Sequence, residues 1–217
     1  MLRTQFEEEL NKLHNQFYSM GTQVSAQVNK AVRAFVSHDR DLAEEVIEDD
    51  QEVNDQETKL EKKSLEMIAL QQPVSHDLRT IITVLKASSD LERMGDHAVS
   101  IAKATINLKG EERIHIVEAD ISLMGERVKS IVDASLNAYI QGDDTRAREI
   151  ASWDDTVNQM YSEIQNKTLT AMEDNKETIT TGKDYLMTII YLERIGDYAK
   201  NLCEWIVYLK TGKIVEL

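Results

Sequence analysis

Apolar residues recur along this chain at alternating steps of three and four, the spacing that puts side chains on one face of an α-helix. The first stripe reads Phe6, Leu10, Leu13, Phe17, Met20, Val24, Val28, Ala31 and Phe35. Capping residues in Ser37-His38-Asp39-Arg40-Asp41 interrupt it. A second helix is expected over about 42–71, ending ahead of Pro73, because proline disfavours helical geometry at the residue before it. A third is expected over about 75–108, with Gly110 as its stop. The pattern then restarts. Ile114, Val117, Ile121, Met124, Val128 and Ile131 stripe a fourth helix ending at Gly142, followed by a fifth over 144–173 and a sixth over 183–209.

The two halves also match residue by residue. Leu91-Glu92-Arg93-Met94-Gly95-Asp96 returns as Leu192-Glu193-Arg194-Ile195-Gly196-Asp197, at an offset of 101. On the preceding helix, Asp50-x-x-Val53-Asn54 returns as Asp154-x-x-Val157-Asn158, at an offset of 104. A three-residue difference in the intervening turn reconciles the two. The expected fold is all-α: two tandem, pseudo-symmetric three-helix bundles built from six long antiparallel helices, with repeats at 1–110 and 111–217. One proline and eight glycines agree with long uninterrupted helices.

A formal net charge of -14 argues against nucleic acid and against direct binding to anionic membranes. Cys203 is the only cysteine, which excludes an internal disulfide and a thiolate zinc cluster. The first eight residues have no apolar core of a signal peptide. Nor does any segment approach the roughly 18 consecutive apolar residues of a membrane-spanning helix, so a cytoplasmic protein is expected.

Charge becomes chemistry on the second and third helices of each repeat. The stripe of the second helix reads Val46, Asp50, Val53, Glu57, Leu60, Ser64 and Met67, so carboxylates fall where periodicity asks for apolar residues. Glu92 and Asp96 lie one turn apart on one face of the third helix, as do Glu193 and Asp197 on the sixth. An unpaired buried carboxylate costs several kcal/mol, on the order of 3–5. Carboxylates facing one another therefore need a proton, a base or a cation. Hard cations take oxygen ligands, and Asp50 with Asn54, or Asp154 with Asn158, offers a second pair beside each signature. The competing reading is that these acids face solvent, or that Arg93 and Arg194 neutralise them as surface ion pairs. Gly95 and Gly196 stand inside helices at a cost of about 1 kcal/mol against alanine, which close helix approach or room for an ion would explain.

Other features are weaker. His97 has Tyr198 as its counterpart, so a duplicated histidine ligand is excluded. His14, His38 and His76 read as structural, and Trp153, Trp205 and Tyr208 as packing residues. A carboxylate-bridged oxidase or ferroxidase usually needs two Glu-x-x-His pairs, and only Glu112–His115 fits. No nucleophile elbow and no glycine-rich phosphate loop is present.

The paired L-E-R-[M/I]-G-D signatures resemble the PhoU family of phosphate-transport regulators. Val46-Ile47-Glu48-Asp49-Asp50-Gln51-Glu52-Val53-Asn54 and Leu70-Gln71-Gln72-Pro73-Val74-Ser75-His76-Asp77-Leu78-Arg79 fall in the matching order. The resemblance covers essentially the whole chain. It implies a non-enzymatic cytoplasmic protein, a homodimer or larger, that represses phosphate uptake and the phosphate-starvation response. It further implies contact with the ATPase subunit of the phosphate ABC transporter and, where present, with a phosphate-sensing histidine kinase. Iron or zinc is implied at the acidic signatures. The ligands would be Glu92, Asp96, Glu193 and Asp197, then Asp50 and Asp154, then Asn54 and Asn158. Two alternatives stand beside it: the carboxylate-bridged oxidase and a metal-free structural adaptor. Glu57 is matched by Tyr161 and Asp90 by Tyr191, so the first site is expected to be the stronger.

Overall fold

The structure, a computed structural model, describes the backbone of residues 2–108, 110 and 112–217, and side chains from residue 4 onward. The boundary expected at residues 110 and 111 falls in a linker whose Lys109 and Glu111 lie outside the described residues. Seven α-helices follow in order: α1 Leu2–Ser37, α2 Arg40–Gln71, α3 Ser75–Asn107, α4 His115–Gln141, α5 Asp144–Ala151, α6 Asp154–Asp174 and α7 Ile179–Thr211. A single 3-10 turn, Lys176–Thr178, joins α6 to α7.

The helices stop where local chemistry says they should, and the repeats stop alike. After α1, His38 turns left-handed at φ 54°, and Asp39 then caps α2 by accepting from the Leu42 N–H at 3.0 Å. After α4, Gly142 turns at φ 61°, and Asp143 caps α5 by accepting from the Arg146 N–H at 2.9 Å. Gln72 closes α2 at φ 47°, one residue ahead of Pro73.

The expected fifth helix is not continuous. At Ser152 and Trp153 the backbone tightens into i→i+3 bonds, Trp153 N–H to Ile150 O at 2.9 Å and Thr156 N–H to Trp153 O at 3.1 Å. The apolar positions Ile150, Val157 and Ile164 are all buried across the break, so periodicity gave no sign of it. Asp154 thereby becomes the first residue of α6, where the positive end of a helix favours a carboxylate. The last helix also begins earlier than expected, at Ile179.

Each repeat is a bundle, α1–α3 and α4–α7, and the two meet along a long seam. In it α3 runs antiparallel to α7 and α1 antiparallel to α4. Glycine sets the closeness of the second contact. A Cβ on Gly21 would overlap the Leu136 side chain, and one on Gly125 would overlap Val32. Both residues of the first pair sit at an offset of 104 from their partners in the second, so each repeat seats an aliphatic side chain over the other's glycine. On the α3–α7 side, His97 stacks on Tyr191 and Tyr198 with centroids 5.6 and 5.8 Å away. The Trp205 indole N–H donates to Asp90 Oδ2 at 3.0 Å. The seam leaves α2 flanking α3, and α6 flanking α7, with an acidic groove between the helices of each pair.

Candidate metal centre

In the first groove Asp50 and Asn54 lie one turn apart on α2, and Asn54 Nδ2 donates to Asp50 Oδ2 at 3.2 Å. Gly95 lets α3 close on them: a Cβ there would stand 3.4 Å from Asp50 Oδ1 and 3.5 Å from Val53 Cγ1. Glu92 is half-buried on the same edge of α3. Burial pushes its pKa up, and the charges of Asp96, Glu57 and Asp50 push the same way, with Arg93 opposing. The second groove repeats the plan. Asn158 Nδ2 donates to Asp154 Oδ2 at 3.1 Å, and a Cβ on Gly196 would stand 3.1 Å from Asp154 Oδ1. Glu193 is shifted up by burial and then by Asp197, with Asp154 adding to it and Arg194 opposing. Asp154 itself is only 4% exposed. Its pKa is raised by burial and then by Asp197, while Lys200 and Asn158 pull it down.

The acids are therefore gathered, though less deeply than the stripe suggested. Val46, Val53, Leu60, Ser64 and Met67 are buried, whereas Asp50, Asn54, Glu57, Glu92, Glu193 and Asp197 are half-buried, and Asp96 and Asn158 are exposed. Only Asp154 sits fully inside. The reason is geometric: the carboxylates lie on the flank of the stripe, and its fully buried positions on α2 belong to Val46, Val53, Leu60, Ser64 and Met67. Among the described residues, no three His, Cys, Asp or Glu side chains converge closely enough to hold an ion between them. Bringing Glu92 and Asp96 onto Asp50 takes rotation of side chains that are free to turn into solvent.

The donor set nonetheless suits a hard cation. All candidate ligands offer oxygen, and several oxygens have no partner: Asp154 Oδ1 and Asn54 Oδ1 are both buried without a hydrogen bond. A lone pair left this way costs about 1–3 kcal/mol, more when charged. The ion-pair reading holds for half of the pattern. Arg194 reaches Asp197 Oδ2 at 3.2 Å and Glu193 Oε2 at 3.6 Å, whereas Arg93 bears on Glu92 as a nearby charge. The grooves also differ as their sequences do. Glu57 lies beside the first groove, and the ring of Tyr161 takes its register in the second. Asp90, by contrast, belongs to the seam through its bond to Trp205.

Two polar residues escaped the sequence reading. Gln27 on α1 is 3% exposed, and its Nε2 donates to Asp50 Oδ1 at 3.3 Å and to Val46 O at 3.2 Å. Its signal was a polar side chain one helical step from Val24 and Ala31 in an otherwise apolar stripe. Glu118, at the start of α4, is equally buried and gathers Arg113, His38 and Tyr185. The Glu112–His115 pair expected of an oxidase lies in this linker region. Both of its residues are exposed, and neither belongs to the helices that carry the signatures.

Fold and site together define a duplicated helical-bundle protein with two pseudo-equivalent acidic grooves. The PhoU domain model matches residues 17–105 and 121–206, one stretch in each bundle. The chain belongs to the PhoU family. It is 40% identical, over its full length and 99% of the relative's, to a protein of Clostridium acetobutylicum named phosphate-specific transport system accessory protein PhoU homolog. A protein of the same name from Streptococcus pneumoniae serotype 4 is 37% identical over all of both chains. Crystal structures agree in fold. The phosphate transport system regulatory protein PhoU from Streptococcus pneumoniae superposes with a TM-score of 0.92 at 35% identity, covering 98% of this chain and 100% of that one. PhoU from Pseudomonas aeruginosa gives 0.92 at 32% identity, covering 96% and 100%.

Proposed function

We propose that this chain is a regulatory accessory protein of phosphate transport that restrains phosphate uptake and the phosphate-starvation response. The observation that carries this reading is the full-length match to relatives named as accessory proteins of the phosphate-specific transport system. It acts in the cytoplasm by contact with the ATPase subunit of the phosphate ABC transporter and with a phosphate-sensing histidine kinase where one exists, as a homodimer and not as an enzyme. It meets the membrane through these partners; among the described residues no helix is long and apolar enough to cross one.

The acidic grooves hold metal ions, with iron or zinc the expected elements. Asp50, Asn54, Glu92 and Asp96 would hold the first, and Asp154, Asn158, Glu193 and Asp197 the second. A bound cation supplies positive charge between paired helices, relieving the buried oxygens and tying α2 to α3 and α6 to α7. The orphaned Asp154 Oδ1 supports this part.

Two experiments test the two parts separately. Affinity capture of the cognate ATPase subunit should recover it; no recovery at any phosphate level overturns the regulatory contact. Elemental analysis of untagged protein purified without chelator should find metal at both grooves. Less than about a tenth of an equivalent, with no uptake on titration, overturns the metal sites alone.

A further inference from the structure

The two grooves are copies in their carboxylates and glycines, but only in the first does the bundle's remaining helix bring a polar side chain to the acids. Gln27, from α1, is buried, and its amide nitrogen is fully used on Asp50 Oδ1 and Val46 O. Those two bonds fix which end of the amide is which, since the opposite orientation would set its oxygen against two acceptors. Its Oε1 is then left buried without a partner. That oxygen and Asp50 Oδ1 both face the Gly95 backbone, 3.2 and 3.4 Å from the point a Cβ would occupy. At the matching register, offset by 104, the second repeat has Ile131, buried and apolar. There Asp154 Oδ1 has no partner at all, and Arg194 and Lys200 bring positive charge to the acids.

We infer that Gln27 is the residue that makes the two metal sites unequal, holding Asp50 in place and offering its own carbonyl oxygen to the same cation. This rests on the metal reading above and deepens it. A buried neutral donor does two things for a carboxylate ligand: it removes the rotamer freedom that binding would otherwise freeze, and it leaves the charge available to the ion. The unpartnered Oε1 adds an oxygen of the kind hard cations accept from amides. The second groove has neither, and its resident Arg194 must be displaced from Glu193 and Asp197 before an ion can take them.

The test uses the full chain in the Asp154→Asn background, so that only the first site is read, with Mn²⁺ and Zn²⁺ as probes. Binding is followed by calorimetry, and the Mn²⁺ complex by electron paramagnetic resonance. Gln27→Ile copies the second repeat's own residue, and Gln27→Met keeps the length without the amide. Both are expected to weaken binding by about 10- to 100-fold, the range typical of residues behind the ligands, and to alter the Mn²⁺ spectrum. An unchanged affinity and spectrum in both variants, beside a parent that binds metal, overturns the role of Gln27 and leaves the metal sites standing. A parent that takes up neither ion overturns both. Thermal unfolding checks that each variant is folded before it is scored.

Discussion

Arg113 forks onto Glu118: its Nε lies 3.1 Å from each carboxylate oxygen and its Nη2 2.6 Å from Oε2. The pair joins four segments at one end of the molecule. His38 approaches Oε1 from the α1–α2 turn at 2.6 Å, Tyr185 donates from α7, and Arg113 also reaches Val36 O at 3.1 Å. Thr181 adds a bond to Glu112 O at 2.7 Å. The linker between the repeats is clasped to both. Burial alone would raise the pKa of Glu118, but Arg113, Tyr185 and His38 outweigh it and hold the carboxyl below its usual range. A lowered carboxylate pKa means stability that is present above the unfolded value and lost as pH falls through the folded one. Glu118→Ala should therefore destabilise the protein by about 1–3 kcal/mol at neutral pH, leaving the buried Tyr185 hydroxyl without its acceptor while the exposed Arg113 turns to solvent. The difference from the parent should shrink as pH drops below about 4. Chemical denaturation at a series of pH values reads both effects. A constant difference down to pH 3 refutes the linkage.

The seam glycines should not respond equally to alanine. At Gly125 the new methyl meets Val32 at its Cβ and both γ-carbons, and a β-branched side chain has little freedom to yield. At Gly21 it meets the outer carbons of Leu136, which can rotate away. Against each clash stands a gain of about 1 kcal/mol in helix propensity. Gly125→Ala should thus be destabilising by about 1–2 kcal/mol net, and Gly21→Ala close to neutral. Adding Val32→Ala to Gly125→Ala should recover part of the loss by relieving the clash. A double mutant less stable than the sum of its singles rules out that contact as the cause.

Much of this molecule could be read before its structure. The stripe from Leu13 to Phe35, the capping residues around Asp39, and the stops at Gly142 and before Pro73 are local signals, and the helices obey them. Pairing of Asp50 with Asn54 and of Asp154 with Asn158 follows from one-turn spacing alone. What the sequence hid depends on contacts between distant segments. The tightening at Ser152–Trp153 is invisible to periodicity. Arg127 and Arg146 both stand over the Trp153 ring there, with guanidinium carbons 4.9 and 5.1 Å from its centroid. Gln27 and Glu118 looked like isolated polar residues until packing showed what each one holds. Asp96 read as sharing one face with Glu92, yet it is exposed while Glu92 is half-buried, because one-turn spacing puts residues on a common face without fixing how far each reaches inside.

Cys203 should be chemically silent in the folded protein. It is buried in the α7 core, and that burial, with Glu204 adding to it, pushes the thiol pKa up to about 12. The thiolate is the reactive form, so a disulfide reagent at pH 8 should find no thiol in the native protein and one after denaturation. The rate of reaction in intermediate denaturant would then report opening of α7. Rapid labelling under native conditions contradicts this placement.

Asp154 should trade stability for its site. It is 4% exposed, one oxygen has no partner, and its pKa is raised by burial and then by Asp197. A carboxyl raised in the folded state binds its proton more tightly there than when unfolded. Folding stability from this group is therefore fully present below the unfolded pKa and is lost as pH rises through the folded value. Asp154→Asn removes the charge while keeping the shape and the acceptor for Asn158, so the metal-free variant should be more stable than the parent at pH 7.5, by about 1–2 kcal/mol. At pH 4, where the parent carries more of the proton, the advantage should fall. Added Mn²⁺ or Zn²⁺ should narrow it as well, since the ion stabilises the parent's second groove and not the variant's. Thermal melts of chelator-treated protein, with and without each ion, measure all three. A variant less stable than the metal-free parent at pH 7.5 would show that Asp154 holds the fold together in its charged form, and that its burial serves packing instead of a ligand.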